Sequence, residues 1–176
     1  QPVSDGQLVY APSLDHFLYA LDLATGELQW KADLKASLVA RPSLADGIVY
    51  VGNLDGQVFA VDSAKGTILW EQEVSGGVWS APLLIEDQLY FGDQTGMFYV
   101  LSAADGSIAN SLETESAMLG NGVSTSEGVF FGNEKGELVL FGLDGSKKWS
   151  RPVDEGAIYS NLVINNDMII VVTNKG

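Results

Sequence analysis

The sequence contains no cysteine and a single histidine, His16, among its 176 residues. The lack of cysteine excludes disulfides, thiolate zinc sites and cysteine nucleophiles within this chain. One histidine alone argues against a histidine-based metal cluster or a catalytic triad. No apolar run approaches the roughly 18 residues that a membrane-spanning helix needs.

Positive charge is also scarce, because nine Lys and Arg stand against 23 Asp and Glu and leave a net charge of −14. Nucleic acids and anionic membrane surfaces are bound by basic faces. The composition therefore excludes both as the main partner. With 46% hydrophobic residues, the chain can still bury a core.

The apolar segments repeat along the chain. Five similar triplets have first residues spaced by 40, 41, 40 and 39 positions. In phase with them, a Gly is followed four residues later by Trp in three repeats, whereas the third repeat has Gly106 with Asn110. The triplets begin at Leu8, Ile48, Leu89, Val129 and Met168, and the pairs are Gly26/Trp30, Gly66/Trp70 and Gly145/Trp149.

Each repeat has the pattern of four short strands separated by turns. In the second repeat we predict strands A to D, from the innermost outwards, at about 38–45, 47–52, 57–62 and 67–74. Four strands per ~40 residues are typical of a β-propeller blade. An ordinary β-sandwich is the alternative, but it would not need this period.

The predicted fold is therefore an all-β propeller of four-stranded antiparallel blades, in one domain over residues 1–176. Its repeats are placed at about 1–36, 37–76, 77–116 and 117–156, and residues 157–176 begin a further blade. We expect this domain to be part of a larger, eight-bladed ring. Asp22 and Asp62 are interpreted as caps of their own turns rather than as catalytic acids.

The segments Phe17–Trp30 and Val58–Trp70 resemble the repeat of the pyrroloquinoline-quinone (PQQ) propeller family. The resemblance implies that the outer-strand Trp docks against the neighbouring blade and that the turn Gly helps to seat it. By position, this blade-docking role falls to Trp30, Trp70 and Trp149, with Gly26, Gly66 and Gly145. Asn110 departs from the pattern, which predicts one weaker contact between blades.

The family includes large quinoprotein dehydrogenases, which use PQQ and calcium, and cofactor-free scaffolds of the BamB-like, outer-membrane assembly type. The sequence lacks the adjacent cysteines of the dehydrogenases and has about four of their eight blades. We therefore predict a non-catalytic scaffold without cofactor or metal, which binds a protein or peptide in the bacterial periplasm or cell envelope, or outside the cell. The alternatives are a fragment of a PQQ- and calcium-dependent alcohol dehydrogenase and a sensory propeller fused to another domain.

Two rows of residues are predicted on one face of the innermost strands, because side chains two apart share a face. They either line a ligand site in the central channel or merely plug that channel. One row is Val39, Trp79, Leu119 and Tyr159, and the other is Arg41, Ala81, Asn121 and Asn161.

The connections from strand D to the next strand A are small and acidic, and large apolar pairs follow them. These pairs are predicted to ring one mouth of the channel as a binding patch with an acidic rim, or simply to fill it. The connections are Ser75–Gly77, Glu115–Ala117 and Asp154–Gly156, and the pairs are Val78–Trp79, Met118–Leu119 and Ile158–Tyr159.

No Lys or Arg occurs between Lys65 and Lys135, a stretch that holds ten acidic residues. This stretch predicts either a solubilising surface or one acidic face, across the second and third repeats, that attracts a basic partner.

The repeat phase places the first residue within a strand A and the last within a B–C turn. Three interpretations stay open: a fragment of a longer propeller, half of an eight-bladed ring completed by self-association, or a four-bladed ring with an overlapping end.

Overall fold

The computed structural model of the chain describes residues 1–153, 156–166 and 168–175. These residues form β-strands and no α-helix. Sixteen strands make four antiparallel sheets, each built from four strands that are consecutive in sequence. The predicted all-β fold of four-stranded blades is thus confirmed.

Each of these sheets is one blade, with its strands A to D in chain order. The first blade holds β1 (Val3–Ser4), β2 (Leu8–Pro12), β3 (Phe17–Asp22) and β4 (Leu28–Asp33); the second holds β5 (Ser43–Ala45), β6 (Ile48–Gly52), β7 (Gln57–Asp62) and β8 (Ile68–Glu73). The third holds β9 (Leu83–Ile85), β10 (Gln88–Gly92), β11 (Met97–Ser102) and β12 (Ile108–Glu113); the fourth holds β13 (Val123–Thr125), β14 (Gly128–Gly132), β15 (Glu137–Phe141) and β16 (Lys147–Pro152). A two-stranded sheet of β17 (Val163–Asn165) and β18 (Met168–Ile170) follows.

The innermost strands are shorter than predicted. Strand A of the second blade was expected over 38–45, but β5 begins only at Ser43. Pro42 directly precedes it and has no N–H to donate to a ladder. Leu38 instead donates its backbone N–H to the carbonyl of Ser13 in the first blade, at 3.0 Å. The segment before strand A therefore joins two blades.

Apolar side chains from facing sheets fill the space between neighbouring blades. One cluster joins Tyr10 and Leu18 of the first blade to Val51 and Phe59 of the second. Between the third and fourth blades, the rings of Phe98 and Phe141 stack with centroids 3.8 Å apart. The core is thus a series of layers between blades, and each sheet depends on its neighbours for burial.

A tryptophan on the outer strand of the first blade packs on a glycine of the second blade and donates a hydrogen bond to that blade. We call this pair of contacts a lock. The indole of Trp30 lies so close to Gly66 that a Cβ there would be 2.6 Å from Cε3 of the ring. Its Nε1–H donates to the carbonyl of Ser63 at 2.9 Å. Trp70 makes the same contact with Gly106 of the third blade, again with 2.6 Å to Cε3. Glycine is required at both turns because any side chain would occupy the space of the indole.

The third blade has a smaller version of this lock. Nδ2 of Asn110 donates to the carbonyl of Asp144 at 2.7 Å, and it lies 2.7 Å from a Cβ placed on Gly145. The hydrogen bond to the next blade is kept, while the apolar area of an indole is lost.

Trp149 and Gly26 do not take part in such a lock within the described residues. Trp149 is half-buried and packs edge-on against Phe130, with ring centroids 5.7 Å apart. The guanidinium of Arg151 lies 5.0 Å from its ring. Apart from its chain neighbours, no described residue comes within 4 Å of a Cβ placed on Gly26.

The C–D turns are capped by their own aspartates, as expected. Oδ1 of Asp22 accepts hydrogen bonds from the amides of Ala24 and Thr25 at 3.0 and 2.8 Å. Asp62 accepts from the two equivalent amides of its turn. The bond from Thr25 is the main cause that lowers the pKa of Asp22 below its ordinary value. The interpretation of these acids as caps is confirmed.

The B–C turns of the second, third and fourth blades each begin with a buried Asn or Asp, namely Asn53, Asp93 and Asn133. Oδ1 of each accepts the amide of the residue four positions later at 2.9 Å. The other terminal atom of the side chain is a nitrogen in the asparagines and an oxygen in Asp93. Nδ2 of Asn53 donates to the carbonyl of Leu34 at 2.9 Å. Oδ2 of Asp93 is buried and accepts no hydrogen bond from any residue that the structure describes. The third blade thus carries a carboxylate where its neighbours have an amide donor.

Replacing Trp70 with Ala removes the lock between the second and third blades. We expect the free energy of unfolding to fall by about 2–3 kcal/mol, below the range for fully buried tryptophans because Trp70 is half-buried. Urea unfolding followed by circular dichroism measures the change. Leu69→Ala is the matched control, since Leu69 is on the same strand with 51% of its surface exposed. Equal losses for both variants would contradict the lock.

Asp93→Asn should stabilise the protein by about 1 kcal/mol, because an amide can donate a hydrogen bond where the carboxylate oxygen has no partner. The reciprocal change, Asn53→Asp, removes the donor to Leu34 and should destabilise by about 1–3 kcal/mol. Thermal midpoints at neutral pH test both changes. A lower midpoint for Asp93→Asn would show that the carboxylate is better accommodated than its contacts indicate.

Candidate functional site

The D–A loops and the B–C turns meet at one end of the blades. Each loop is fixed by two backbone hydrogen bonds, one to the B–C turn of the following blade and one to the B–C turn of the preceding blade. At the third blade, Gln94 donates to the carbonyl of Gly77 at 3.0 Å, and Val78 donates to the carbonyl of Asn53 at 2.9 Å. The same bonds recur where Glu134 donates to Ala117, at 3.1 Å. The side chains that follow each loop are therefore held on a rigid support.

Three of these side chains occupy equivalent places and define what we call the aromatic surface: Trp79, Leu119 and Tyr159. Trp79 is 40% exposed and Tyr159 is 49% exposed, while Leu119 between them is half-buried. Nε1–H of Trp79 donates to Oε1 of Gln94 at 3.3 Å, which orients the indole. Two large aromatic side chains thus face solvent on hydrogen-bonded loops.

The neighbours of these residues were predicted to share the surface, and this is wrong for Val78, Met118 and Ile158. All three are fully buried, and Val78 packs above Gly52. Each fills the space above a glycine at the end of strand B: a Cβ on Gly92 would lie 2.5 Å from Cβ of Met118, and one on Gly132 would lie 2.2 Å from Cγ2 of Ile158. They belong to the core between blades, so the expected apolar ring reduces to the aromatic surface.

Both rows were predicted on the innermost strands, but all of their residues precede those strands, which begin at Ser43, Leu83, Val123 and Val163. The second row lies on the inner side of the blades. Arg41 is exposed and lines a cleft together with Ala81 and Asn121. Oδ1 of Asn121 accepts the backbone N–H of Ala81 at 2.6 Å. In the same way Oδ1 of Asn161 accepts the backbone N–H of Asn121 at 3.1 Å. Both asparagines therefore connect neighbouring blades, a role that residue spacing alone did not indicate.

The acidic stretch between Lys65 and Lys135 does not form one face. Glu86, Asp87 and Glu127 lie in A–B turns, at the end opposite to the aromatic surface. Glu115 lies in a D–A loop, where its Oε2 pairs with Nζ of Lys135 at 3.0 Å. The hydrogen bond from this lysine is the main cause that lowers the pKa of Glu115. The expected single acidic face is thus divided between the two ends of the blades.

The acidic connection predicted at Asp154–Gly156 lies partly outside the described residues, since these do not include 154 and 155. No group of three or more His, Asp or Glu side chains in the described ranges is placed to hold a metal ion. The same ranges contain no helix long and apolar enough to cross a membrane.

The blades, their interlocking tryptophans and the exposed loop aromatics define a repeat-built β-propeller of the PQQ-repeat class. A family described as outer membrane protein assembly factor BamB matches residues 14–176. The chain belongs to this family, which confirms the resemblance read from its repeats.

Solved structures agree in fold. The crystal structure of BamB from Moraxella catarrhalis superposes with a TM-score of 0.88 at 15% identity, over 100% of this chain and 58% of that one. A crystal structure of the computationally designed Ika8 protein gives a TM-score of 0.85 at 16% identity, over 99% of this chain and 55% of that one. The chain thus spans a little over half the length of both. No curated protein sequence matches it.

Proposed function

We propose that this chain is a non-catalytic module that binds a protein or peptide partner in the bacterial cell envelope through the aromatic surface. The observation that carries the proposal is the exposure of Trp79 and Tyr159, at 40% and 49%, on loops fixed to the next blade. Membership of a family of outer membrane assembly factors supports the location and the scaffold role.

The physical argument rests on rigid aromatic side chains. Tryptophan and tyrosine are enriched among the residues that contribute most to protein interfaces. They offer a large contact area while few rotatable bonds lose freedom on binding. At Trp79 part of that freedom is already lost, because its indole is hydrogen-bonded to Gln94. A partner would therefore gain apolar burial at a low entropic cost.

The division of the acidic residues affects the kind of partner that we expect. Beside the aromatic surface, Glu115 is neutralised by Lys135, so apolar contact is the main attraction there. The net charge of −14 still favours approach of a basic partner at long range. We therefore propose a partner segment with apolar residues at its centre and basic residues at its edge.

Joint replacement of Trp79 and Tyr159 with Ala should abolish partner capture and leave the thermal midpoint within a few degrees of the parent protein. Immobilised protein is exposed to a solubilised bacterial envelope extract, and captured proteins are identified by mass spectrometry. The matched control is Leu69→Ala with Ile108→Ala, two exposed residues on outer strands. Undiminished capture by the aromatic double variant would refute the proposed surface, whatever its stability.

The competing function is that of a PQQ- and calcium-dependent dehydrogenase. Our proposal predicts no stoichiometric quenching of tryptophan fluorescence when PQQ and calcium are added. It also predicts no dye-linked oxidation of alcohols by the mixture. Tight binding of one PQQ per chain would overturn the non-catalytic assignment, and calcium alone serves as the blank titration.

A further inference from the structure

A row of side-chain amides crosses the inner side of the blades at residues 40 positions apart. The backbone N–H of Ala81 donates to Oδ1 of Asn121, and the backbone N–H of Asn121 donates to Oδ1 of Asn161. We call each such bond a rung. In each rung an asparagine of one blade accepts the amide of the equivalent residue in the preceding blade. Because Oδ1 is the acceptor, Nδ2 of the same side chain remains as a donor.

The next rung is missing. By the same geometry the backbone N–H of Arg41 should donate to residue 81, but Ala81 has no side-chain acceptor. The N–H of Arg41 makes no hydrogen bond with any described residue. An unoccupied acceptor position therefore lies between the second and third blades. An oxygen atom from a bound molecule could fill it as the asparagine oxygens do in the other two rungs.

This position opens into a cleft of about 380 Å³. Arg41, Ala81 and Asn121 line it, and Pro42, Pro82 and Leu84 give it an apolar wall. No acidic residue of the described ranges lines this cleft, although the chain has 23 acidic residues in all. Four other clefts of 280–440 Å³ each include at least one carboxylate. The inner cleft therefore differs from them in charge.

Arg41 is well suited to an anionic ligand. Its guanidinium forms neither of the two ion pairs present among the described residues, which involve Lys35 and Lys135. A guanidinium binds a carboxylate through two parallel hydrogen bonds more favourably than it binds a neutral group. The backbone N–H of the same residue and Nδ2 of Asn121 add donors at the same cleft.

We propose that the inner cleft binds a carboxylate attached to a small apolar group. One carboxylate oxygen takes the position of the missing asparagine oxygen at the N–H of Arg41, and the guanidinium pairs with the carboxylate. The apolar group packs against Pro42, Pro82 and Leu84. The chain-terminal carboxylate of a peptide and a free carboxylic acid share this chemistry. This site is distinct from the aromatic surface and does not depend on the proposed function.

Isothermal titration calorimetry with three probes tests the proposal: N-acetyl-Val-Leu with a free carboxylate, the same dipeptide with a terminal carboxamide, and hexanoate. We expect the free carboxylate to bind at least about tenfold more tightly than the carboxamide. Tighter binding of the dipeptide than of hexanoate would identify a peptide terminus as the source, and the reverse order would identify a free acid. Equal affinity for carboxylate and carboxamide, or no binding of either acid, would overturn the proposal.

Two variants locate the site. Ala81→Asn should supply the missing rung, raise the thermal midpoint and reduce carboxylate affinity at least about tenfold, because the new oxygen occupies the ligand position. Arg41→Gln should reduce affinity to a similar extent through loss of the charge. Arg151→Gln is the control, since Arg151 lies on the outer strand beside Trp149, and it should leave the affinity unchanged. Unchanged affinity in both Ala81→Asn and Arg41→Gln would place any binding elsewhere and refute the site.

Discussion

Contact between neighbouring sheets is the interaction on which the rest of this structure depends. A sheet with apolar residues on both faces is stable only when other sheets cover those faces. The stacked rings of Phe98 and Phe141 and the cluster around Phe59 show how closely the faces meet. Specific alignment comes from the indole of Trp30, which fits over Gly66 and is directed by one hydrogen bond. Apolar burial supplies most of the stability, while this lock fixes how each blade is oriented.

The same constraint produces the candidate binding surface. A D–A loop must place one apolar side chain in the space above the glycine that ends strand B, as Met118 does above Gly92. The next side chain then points away from the core. Because the loop is also hydrogen-bonded to a turn of the following blade, Trp79 and Tyr159 are exposed and well supported. The surface is thus a consequence of how the blades pack.

Departures from the repeat carry the specific properties of this chain. Asn110 keeps the hydrogen bond between blades and gives up the apolar area of a tryptophan. Asp93 places a buried carboxylate oxygen at the position where Asn53 of the second blade has an amide nitrogen that donates a hydrogen bond. Ala81 stands where an asparagine would accept a hydrogen bond, so the N–H of Arg41, beside an open cleft, has no acceptor among the described residues. Repeats make such positions visible, because each can be compared with equivalents that keep the usual contact.

The sequence by itself determined the blade architecture, since the 40-residue spacing and the alternating strands are local patterns that read directly as repeated sheets. It also singled out Trp79 and Tyr159 as candidate binding residues, because large apolar residues after small loops stand out, and both side chains are exposed in the structure. It failed at Val78, Met118 and Ile158, whose burial depends on glycines in a neighbouring strand. The rungs of Asn121 and Asn161, the missing rung at Arg41 and the division of the acidic residues were decided only by the tertiary structure. Each depends on which atoms of two blades face one another, and a linear pattern does not contain that information.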